Sequence, residues 1–391
     1  MPSPKFLPSA VYRSPTVAAR ERSHYAERCW HPVAARSEID VGGALAVELL
    51  GVPLLLTCPP ADQPQAEPVV RAFLNRCPHR GVALLASGTA APRCRRLVCP
   101  YHGWTYDLNG QLLAAAREAE FLEPFQREHW PLQELPCRQL GPLLWLALGP
   151  DPLPLEAQLD LVLAEAGELF TTPRELLARQ QLGLGCNWKV AHDNTLDDYH
   201  VAIAHPTTLH REQGPVRDYR YALSPHATLL ATPSGADGTF YTFGLAPWTH
   251  LLLWPDQRLA LISFLPSLPA SPGEAADLER CVMDVWLFGP AGLAAGAADW
   301  MAEMQRFLEE DRQLVESAQR GYASGLVPGP AHRLEQRILQ WQALYRRWME
   351  LEEEPTPADI EADPQPQPQP QLSPRALTTA PAGPATSPWP H

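Results

Sequence analysis

Short apolar runs punctuated by turn signals dominate the first part of the chain. Runs at 45–50, 54–58, 69–74 and 143–148 are brief and β-prone, and GG, PP, SG and NG dipeptides separate them. Residues 28–150 therefore read as an all-β domain. The proline density of 59–68 predicts a surface loop between two of its strands. Ahead of this domain, residues 1–27 read as an N-terminal arm with a short helical stretch at 18–27.

From residue 155 the pattern changes. A helix is expected at 155–168, followed by the helical stretch CNWKVAHDNTLDDYHVAIAHP, which carries ionisable residues among apolar ones. β-Prone runs follow at 219–223, 239–244, 250–254, 259–265 and 281–288, and helices at 295–320 and 330–353 close the domain. Strands followed by helices, rather than alternating with them, predict an α+β layout around an antiparallel sheet. This gives a second domain at 155–353. From 354 to 391 the chain is rich in proline, with a QPQPQPQ run and few large apolar residues, so disorder is expected there. No internal repeat is visible.

Composition narrows the function classes. The 391 residues are 45% apolar and 19% charged, ordinary for a globular protein, and long enough for two cores. A net charge of −13 argues against a nucleic-acid partner, which calls for a basic face. No apolar run is long enough to span a bilayer, and the N-terminus lacks the apolar core of a secretory signal. Cytoplasmic residence is the resulting expectation. Eight cysteines are too few for a disulfide scaffold of this length. Six of them read as small buried residues.

The other two sit in paired patterns. Residues 77–80 read CPHR and residues 99–104 read CPYHGW. Each supplies one thiolate and one imidazole: Cys77 with His79, and Cys99 with His102. Two thiolates on one iron and two imidazoles on the other is the asymmetric ligation of a Rieske [2Fe–2S] centre. Pro78, Pro100 and Gly103 suit tight ligand loops, and Trp104 is placed to shield the cluster from water. Zinc is the rival ligand, but zinc fingers group Cys with Cys and His with His. Chance placement of buried Cys beside exposed His is the bland reading.

A cluster alone would make an electron carrier, so the second domain should hold an acceptor. In DNTLDDYHVAIAHP, His200 and His205 are five apart and do not share a helix face. They converge only if the helix ends or loosens between them, and Pro206 makes an end plausible. Asp197 and His200, at i and i+3, would share a face, which suits a carboxylate supporting a metal-bound imidazole. Asp198 lies about 100° further round and fits less well. A carboxylate should complete a facial triad. On the helix DWMAEMQRFLEEDRQLVESAQRG, the apolar stripe runs Trp300, Met304, Phe307, Leu308, Leu314, Val315 and Ala318. Asp311 falls near its centre, whereas Glu309, Glu310 and Glu316 fall outside it. A buried salt bridge to an arginine is the alternative role for Asp311.

The motif NRCPHRG…CPYHGWTYDLNGQL resembles that of the α subunits of ring-hydroxylating Rieske non-heme iron oxygenases. CNWKVAHDNTLDDYHVAIAHP and EEDRQLVESAQRG resemble the family's iron-binding segments, so the likeness spans about residues 1–350. It implies an N-terminal all-β Rieske domain and a C-terminal helix-grip catalytic domain. It also implies Cys77, His79, Cys99 and His102 as cluster ligands, and His200, His205 and Asp311 as ligands of a mononuclear Fe(II). Asn194 would lie near that iron. Asp197 would bridge the two centres between subunits of a head-to-tail trimer, from His102 of one protomer to Asp197 and His200 of its neighbour. The implied activity is a mono- or dioxygenase using O2 and electrons from a separate NAD(P)H-dependent reductase, with or without a ferredoxin. One departure is the segment 80–98, longer than the family pattern, with SGTAAPRCRR expected as a surface loop and Cys94 as a non-ligand. His210 reads as a surface residue.

The substrate is less defined. The wording around DNTLDDYH is similar to the choline and quaternary-amine branch of the family. Tyr219, Tyr221, Phe240, Tyr241, Phe243, Trp248, Trp254 and Trp286 are available for a cation cage. Aromatics in strands more often pack a core, and an aromatic substrate fits equally well. Hydroxylation beside a heteroatom leads to dealkylation, so hydroxylase and demethylase are not separable here. The rival classes are a Rieske electron carrier without mononuclear iron and a zinc-binding scaffold.

Overall fold

The computed structural model describes residues 6–351, apart from 62, 64–66, 237 and 268–275. The tail read as disordered lies outside the described residues, as does part of the proline-dense loop.

The C-terminal half is organised by a seven-stranded antiparallel sheet. Its order is Glu175–Leu184, Cys281–Gly289, Leu259–Pro266, Thr249–Leu253, Gly238–Leu245, Ala227–Ser234 and Arg220–Leu223. Both faces are covered. Phe240, Leu252, Ile262, Met283 and Val285 face the helices Trp188–Leu196, Ala297–Ala323 and Gln336–Met349. Their strand neighbours Phe243, Leu251, Leu261, Trp286 and Phe288 face the opposite way, onto Val162 and Phe170 of Asp160–Thr171. Two-sided burial explains why LALISFLP and CVMDVWLFG read as continuous apolar runs without polar alternation. Each fully buried Leu or Phe contributes about 1.5–3 kcal/mol.

Two strands escape the sequence pattern. ELLARQQLGL, at Glu175–Leu184, is made of good helix formers but pairs along its length with Cys281–Gly289. Ala227–Ser234 ends in Pro233 and Ser234, and that ending obscures its β character. The expected opening helix is two helices, Leu155–Gln158 and Asp160–Thr171.

The N-terminal half is all β. A five-stranded sheet runs Ala90–Ala91, Gly43–Leu49, Val52–Cys58, Arg71–Leu74 and Glu134–Leu135. A three-stranded sheet of Leu97–Val98, Thr105–Tyr106 and Leu112–Ala114 carries the second Cys–His loop. A further sheet, Trp30–Ala35, Leu143–Ala147 and Cys137–Leu140, joins the halves, because Trp30, Leu143 and Trp145 lie in the core beneath Phe243 and Trp286. The segment read as a surface loop at SGTAAPRCRR is anchored. Ala90 and Ala91 pair with Leu45 and Ala44, and the Cys94 N–H donates to the Gly42 carbonyl.

The N-terminal arm packs into the core of the C-terminal half. It forms two helices, Ser9–Arg13 and Pro15–His24, the second with Ser14 as N-cap and proline in its first turn. Leu7, Val11, Tyr12 and Tyr25 join Trp188, Trp341 and Tyr345 in one cluster. Glu21 is buried with them. Its carboxylate accepts from Lys189 Nζ at 2.6 Å, Tyr345 Oη at 2.7 Å and Trp188 Nε1 at 2.9 Å.

Candidate metal centres

The two Cys–His loops are built alike. The Gly81 N–H donates to the Cys77 carbonyl and the Cys77 N–H to that of Val82. Likewise, the Gly103 N–H donates to Cys99 and the Cys99 N–H to Trp104. Both turns need a left-handed residue at the same place, and Gly81 and Gly103 supply it at φ +76° and +69°. Each loop thereby presents its thiol inward and its imidazole outward.

Cys77 and Cys99 are buried, His79 is half-buried and His102 is exposed. The imidazole rings converge at 4.5 Å between centroids, and His79 stacks on Trp104 at 4.9 Å. Tyr106 Oη lies 3.4 Å from Cys77 Sγ, placed to donate to a thiolate. Burial pushes the Cys77 thiol up, a cost that binding to a cationic iron pair removes. This donor set, two buried thiols beside two more exposed imidazoles, fits a [2Fe–2S] cluster.

At the second site the helix Trp188–Leu196, N-capped by Asn187, stops where Asp197 turns extended (φ −84°, ψ 104°). Asp197 Oδ1 accepts from the Tyr199 N–H at 2.7 Å, fixing the turn. His200 and His205 then flank the single helical turn Val201–Ala204. This interruption lets histidines five apart converge, as the spacing demanded. Asp311 projects from Ala297–Ala323 between the buried Leu308 and Val315.

The convergence is tight. Asp311 Oδ1 lies 2.9 Å from His205 Nε2 and 3.3 Å from His200 Nε2, and the two Nε2 atoms are 3.2 Å apart. One donor atom from each residue falls within 4.8 Å of the others, and this is the one such group among the described residues. Asn194 Nδ2 donates to Asp311 Oδ1 at 2.7 Å.

The charges at this point favour a cation. Burial opposes protonation of His200, yet Asp197 and Asp311 override it and lift the imidazole to about 10. Burial likewise works against ionisation of Asp311, yet the two histidines hold it below the usual carboxylate range. The basicity these carboxylates give His200 is a demand for positive charge, which a metal cation meets in place of a proton. Two neutral imidazoles and a carboxylate fit Fe(II).

Several expectations need correction. Asp197 and His200 do not share a helix face, since the helix ends between them; the turn brings Asp197 Oδ2 to 3.6 Å from His200 Nδ1, an ion-pair distance rather than a hydrogen bond. Asp198, read as the poorer support for His200, is indeed engaged elsewhere, buried in an ion pair with Arg337 at 3.1 Å. Leu314 and Ala318, placed on the buried stripe, are exposed beside a cleft of about 340 Å³ that also borders Asn194 and Asp197. His210 is half-buried. Glu310, set aside for lying off the stripe, accepts from Thr208 Oγ1 and lies 2.7 Å from His205 Nδ1. Each histidine therefore has a carboxylate behind its Nδ1; the Asp197–His200 pairing is local, whereas no local spacing reveals that of Glu310 with His205.

The aromatic residues proposed for a cation cage do not share a wall. Phe240, Trp248 and Trp254 lie on the helix side of the sheet, and Tyr241, Phe243 and Trp286 on the other. Strand alternation forces this separation. Arg179 already covers Trp286 at 4.2 Å and Arg258 covers Trp254 at 5.0 Å. A cavity of about 850 Å³ is lined by Thr208 and Glu310, the partners on the Nδ1 side of His205, and not by His200, His205 or Asp311.

Both residue groups lie within segments that match known protein families. Residues 29–128 match the Rieske [2Fe-2S] domain, and residues 173–351 match the ring hydroxylating alpha subunit (catalytic domain). The chain belongs to the Rieske non-heme iron oxygenases. The carnitine monooxygenase oxygenase subunit of Acinetobacter pittii is 27% identical over 335 residues, 81% of this chain and 85% of that one. The glycine betaine monooxygenase oxygenase subunit of Chromohalobacter salexigens is 31% identical over 209 residues, 52% and 44% of the two chains. A crystal structure of a quaternary ammonium Rieske monooxygenase superposes with a TM-score of 0.76 at 23% identity, covering 89% of this chain and 96% of that one. The oxygenase thus carries a [2Fe–2S] cluster and a mononuclear iron, and uses O2 with reductase-supplied electrons. Among the described residues no helix is long and apolar enough to cross a membrane.

Proposed function

We propose that this oxygenase hydroxylates a small quaternary amine at a carbon next to nitrogen, so that the product breaks down to a dealkylated amine. The match to a carnitine monooxygenase subunit over four-fifths of the chain carries this reading. An aromatic substrate is the competing one. With a generic NAD(P)H-dependent reductase and the iron-loaded oxygenase, a quaternary amine such as carnitine or glycine betaine should drive coupled NADH and O2 consumption. Coupling only to aromatic acids would overturn the assignment.

In this reading Cys77 and Cys99 hold one cluster iron and His79 and His102 the other, while His200, His205 and Asp311 hold the mononuclear iron. When bound, these centres supply one-electron transfer and oxygen activation. Trp104 stacks on His79 and fixes its ring. Asn194 orients Asp311, and Glu310 holds His205 with Nε2 facing the metal. Asp197 passes electrons from the neighbouring protomer's His102 to His200 in a homotrimer. Two apolar surfaces support that assembly: Leu314, Ala318 and Leu326 around the Asp197 cleft, and Tyr101, Phe121, Leu122 and Trp130 around the cluster. The domain division we adopt is 28–150 for the Rieske domain and 155–353 for the catalytic domain, with the arm packed on the latter. We place the protein in the cytoplasm, with its reductase.

Iron must displace the proton on His200. Because that imidazole is raised from 6.5 to about 10, protonation competes with the metal throughout this interval. Anaerobic Fe(II) titrations of the apoprotein should show affinity rising by about tenfold per pH unit through neutrality and beyond. An affinity that levels off above neutral pH would show an ordinary histidine instead.

A further inference from the structure

The segment that carries the Cys–His loops has a charge pattern its fold does not require. From Arg76 to Tyr106 the chain holds five arginines, Arg76, Arg80, Arg93, Arg95 and Arg96, and no Asp or Glu, in a protein of net charge −13. All five are exposed. Among the described residues no carboxylate pairs with any of them. Elsewhere in the same half, Arg71, Arg117, Arg127 and Arg138 are paired with Glu134, Glu120, Glu118 and Glu156. Like charges gathered along a short segment repel one another, so folding gives no reason to collect them.

Three of them sit at one edge of the small sheet that presents the second loop. Its order is Leu97–Val98, Thr105–Tyr106, Leu112–Ala114, and Arg93, Arg95 and Arg96 lead directly into the outer strand Leu97–Val98. Their turn is held in place. Ala90 and Ala91 pair with Leu45 and Ala44, the Cys94 N–H donates to the Gly42 carbonyl, and Cys94 packs on the core that contains Cys77 and Cys99. At the opposite edge, the turn Arg127–His129 packs on Leu112–Ala114. Phe121, Phe125 and Trp130, from the chain after that strand, gather around Trp104. The cluster region thus has an apolar side and a basic side. The apolar side is the one assigned above to the neighbouring protomer, and an electron carrier must receive as well as deliver.

We propose that the edge formed by Arg93, Arg95 and Arg96 docks the acidic face of an iron–sulfur electron donor, the ferredoxin or ferredoxin-like domain that serves this oxygenase. This rests on Cys77, His79, Cys99 and His102 holding the cluster. Arg96 is three residues from Cys99, so a donor on this edge leads to the thiols, whereas Asp197 of the neighbouring protomer approaches through His102. One electron leaves the donor's reduced iron–sulfur centre, which is oxidised by one unit, and one iron of the oxygenase pair passes from Fe(III) to Fe(II). No bond forms or breaks. Unpaired guanidiniums attract an acidic partner and speed its encounter, and salt screens that attraction beyond about 10 Å at ~0.1 M.

The probe is a plant-type [2Fe–2S] ferredoxin, a small and strongly acidic donor. Its oxidised form, titrated into the cluster-loaded oxygenase at low ionic strength, should bind, and binding should weaken as salt rises. With Arg93→Glu, Arg95→Glu and Arg96→Glu combined, the Kd should rise at least ~10-fold, and stopped-flow reduction of the cluster by reduced ferredoxin should slow by a similar factor. The milder pair Arg95→Gln and Arg96→Gln, which reverses no charge, should fall between. Reduction by photoreduced deazariboflavin, a small donor that needs no docking surface, should be unchanged, as should the oligomeric state by sedimentation. Wild-type ferredoxin affinity in the triple variant, equal slowing with deazariboflavin, or loss of assembly in both variants would overturn the docking site. A wild-type protein without a Rieske paramagnetic signal would instead overturn the cluster-ligand assignment.

Discussion

Asp311→Ala should retain the cluster and lose the mononuclear iron. Asp311 Oδ1 is the atom that both histidine Nε2 atoms approach, and the protein's remaining carboxylates near the site sit behind the imidazoles. Without it, two imidazoles and one small side chain remain, too few donors for a facial triad. Activity should fall by more than the ~10–100-fold typical of losing a supporting partner. Glu310→Ala removes only the group behind His205 Nδ1 and should fall within that range. Iron analysis together with the cluster's visible and paramagnetic spectra separates the two. Full iron content in Asp311→Ala would show that the carboxylate is no ligand.

Glu21→Ala should be the most damaging substitution for the fold. Glu21 and Lys189 form an ion pair at 2.6 Å with side chains only 8% and 1% exposed. Breaking such a pair leaves an uncompensated buried charge and costs about 3–5 kcal/mol. Replacing both partners, as in Glu21→Leu with Lys189→Met, should recover most of that loss. Chemical denaturation of single and double variants measures the difference. A near-neutral Glu21→Ala would mean the arm contributes little to the catalytic core.

These two sites differ in how far the sequence announces them. Cluster ligands lie close to one another along the chain in two local loops, and the paired Cys–His spacing with its glycines is readable directly. His200 and His205 are also local, and their odd spacing already demands a broken helix. Asp311 is legible because a carboxylate stands out on an apolar stripe. Glu310 is not, because its partner is 105 positions away and its own helix position looks solvent-facing. Glu21 is hidden for the same reason, its partner being 168 residues away. Among the strands, Glu175–Leu184 is missed because local preference and tertiary pairing disagree. The sheet pairing prevails, since Cys281–Gly289 needs a neighbour on that edge. The cation cage fails because alternation along a strand cannot be turned into a single wall without knowing which strands pair.

The central claim is that Asp197 connects the two metal centres. Its position supports this: half-buried, 3.6 Å from His200, on a cleft lined by exposed apolar residues. The most direct measurement is single-turnover oxidation of the pre-reduced cluster by O2 and substrate, followed by its visible absorbance. Asp197→Asn can retain the turn closed by the Tyr199 N–H while removing the charge, and Asp197→Ala removes both. With both metals retained, each variant should re-oxidise its cluster at least ~10-fold more slowly than the wild type. Wild-type rates in metal-replete variants would contradict the account.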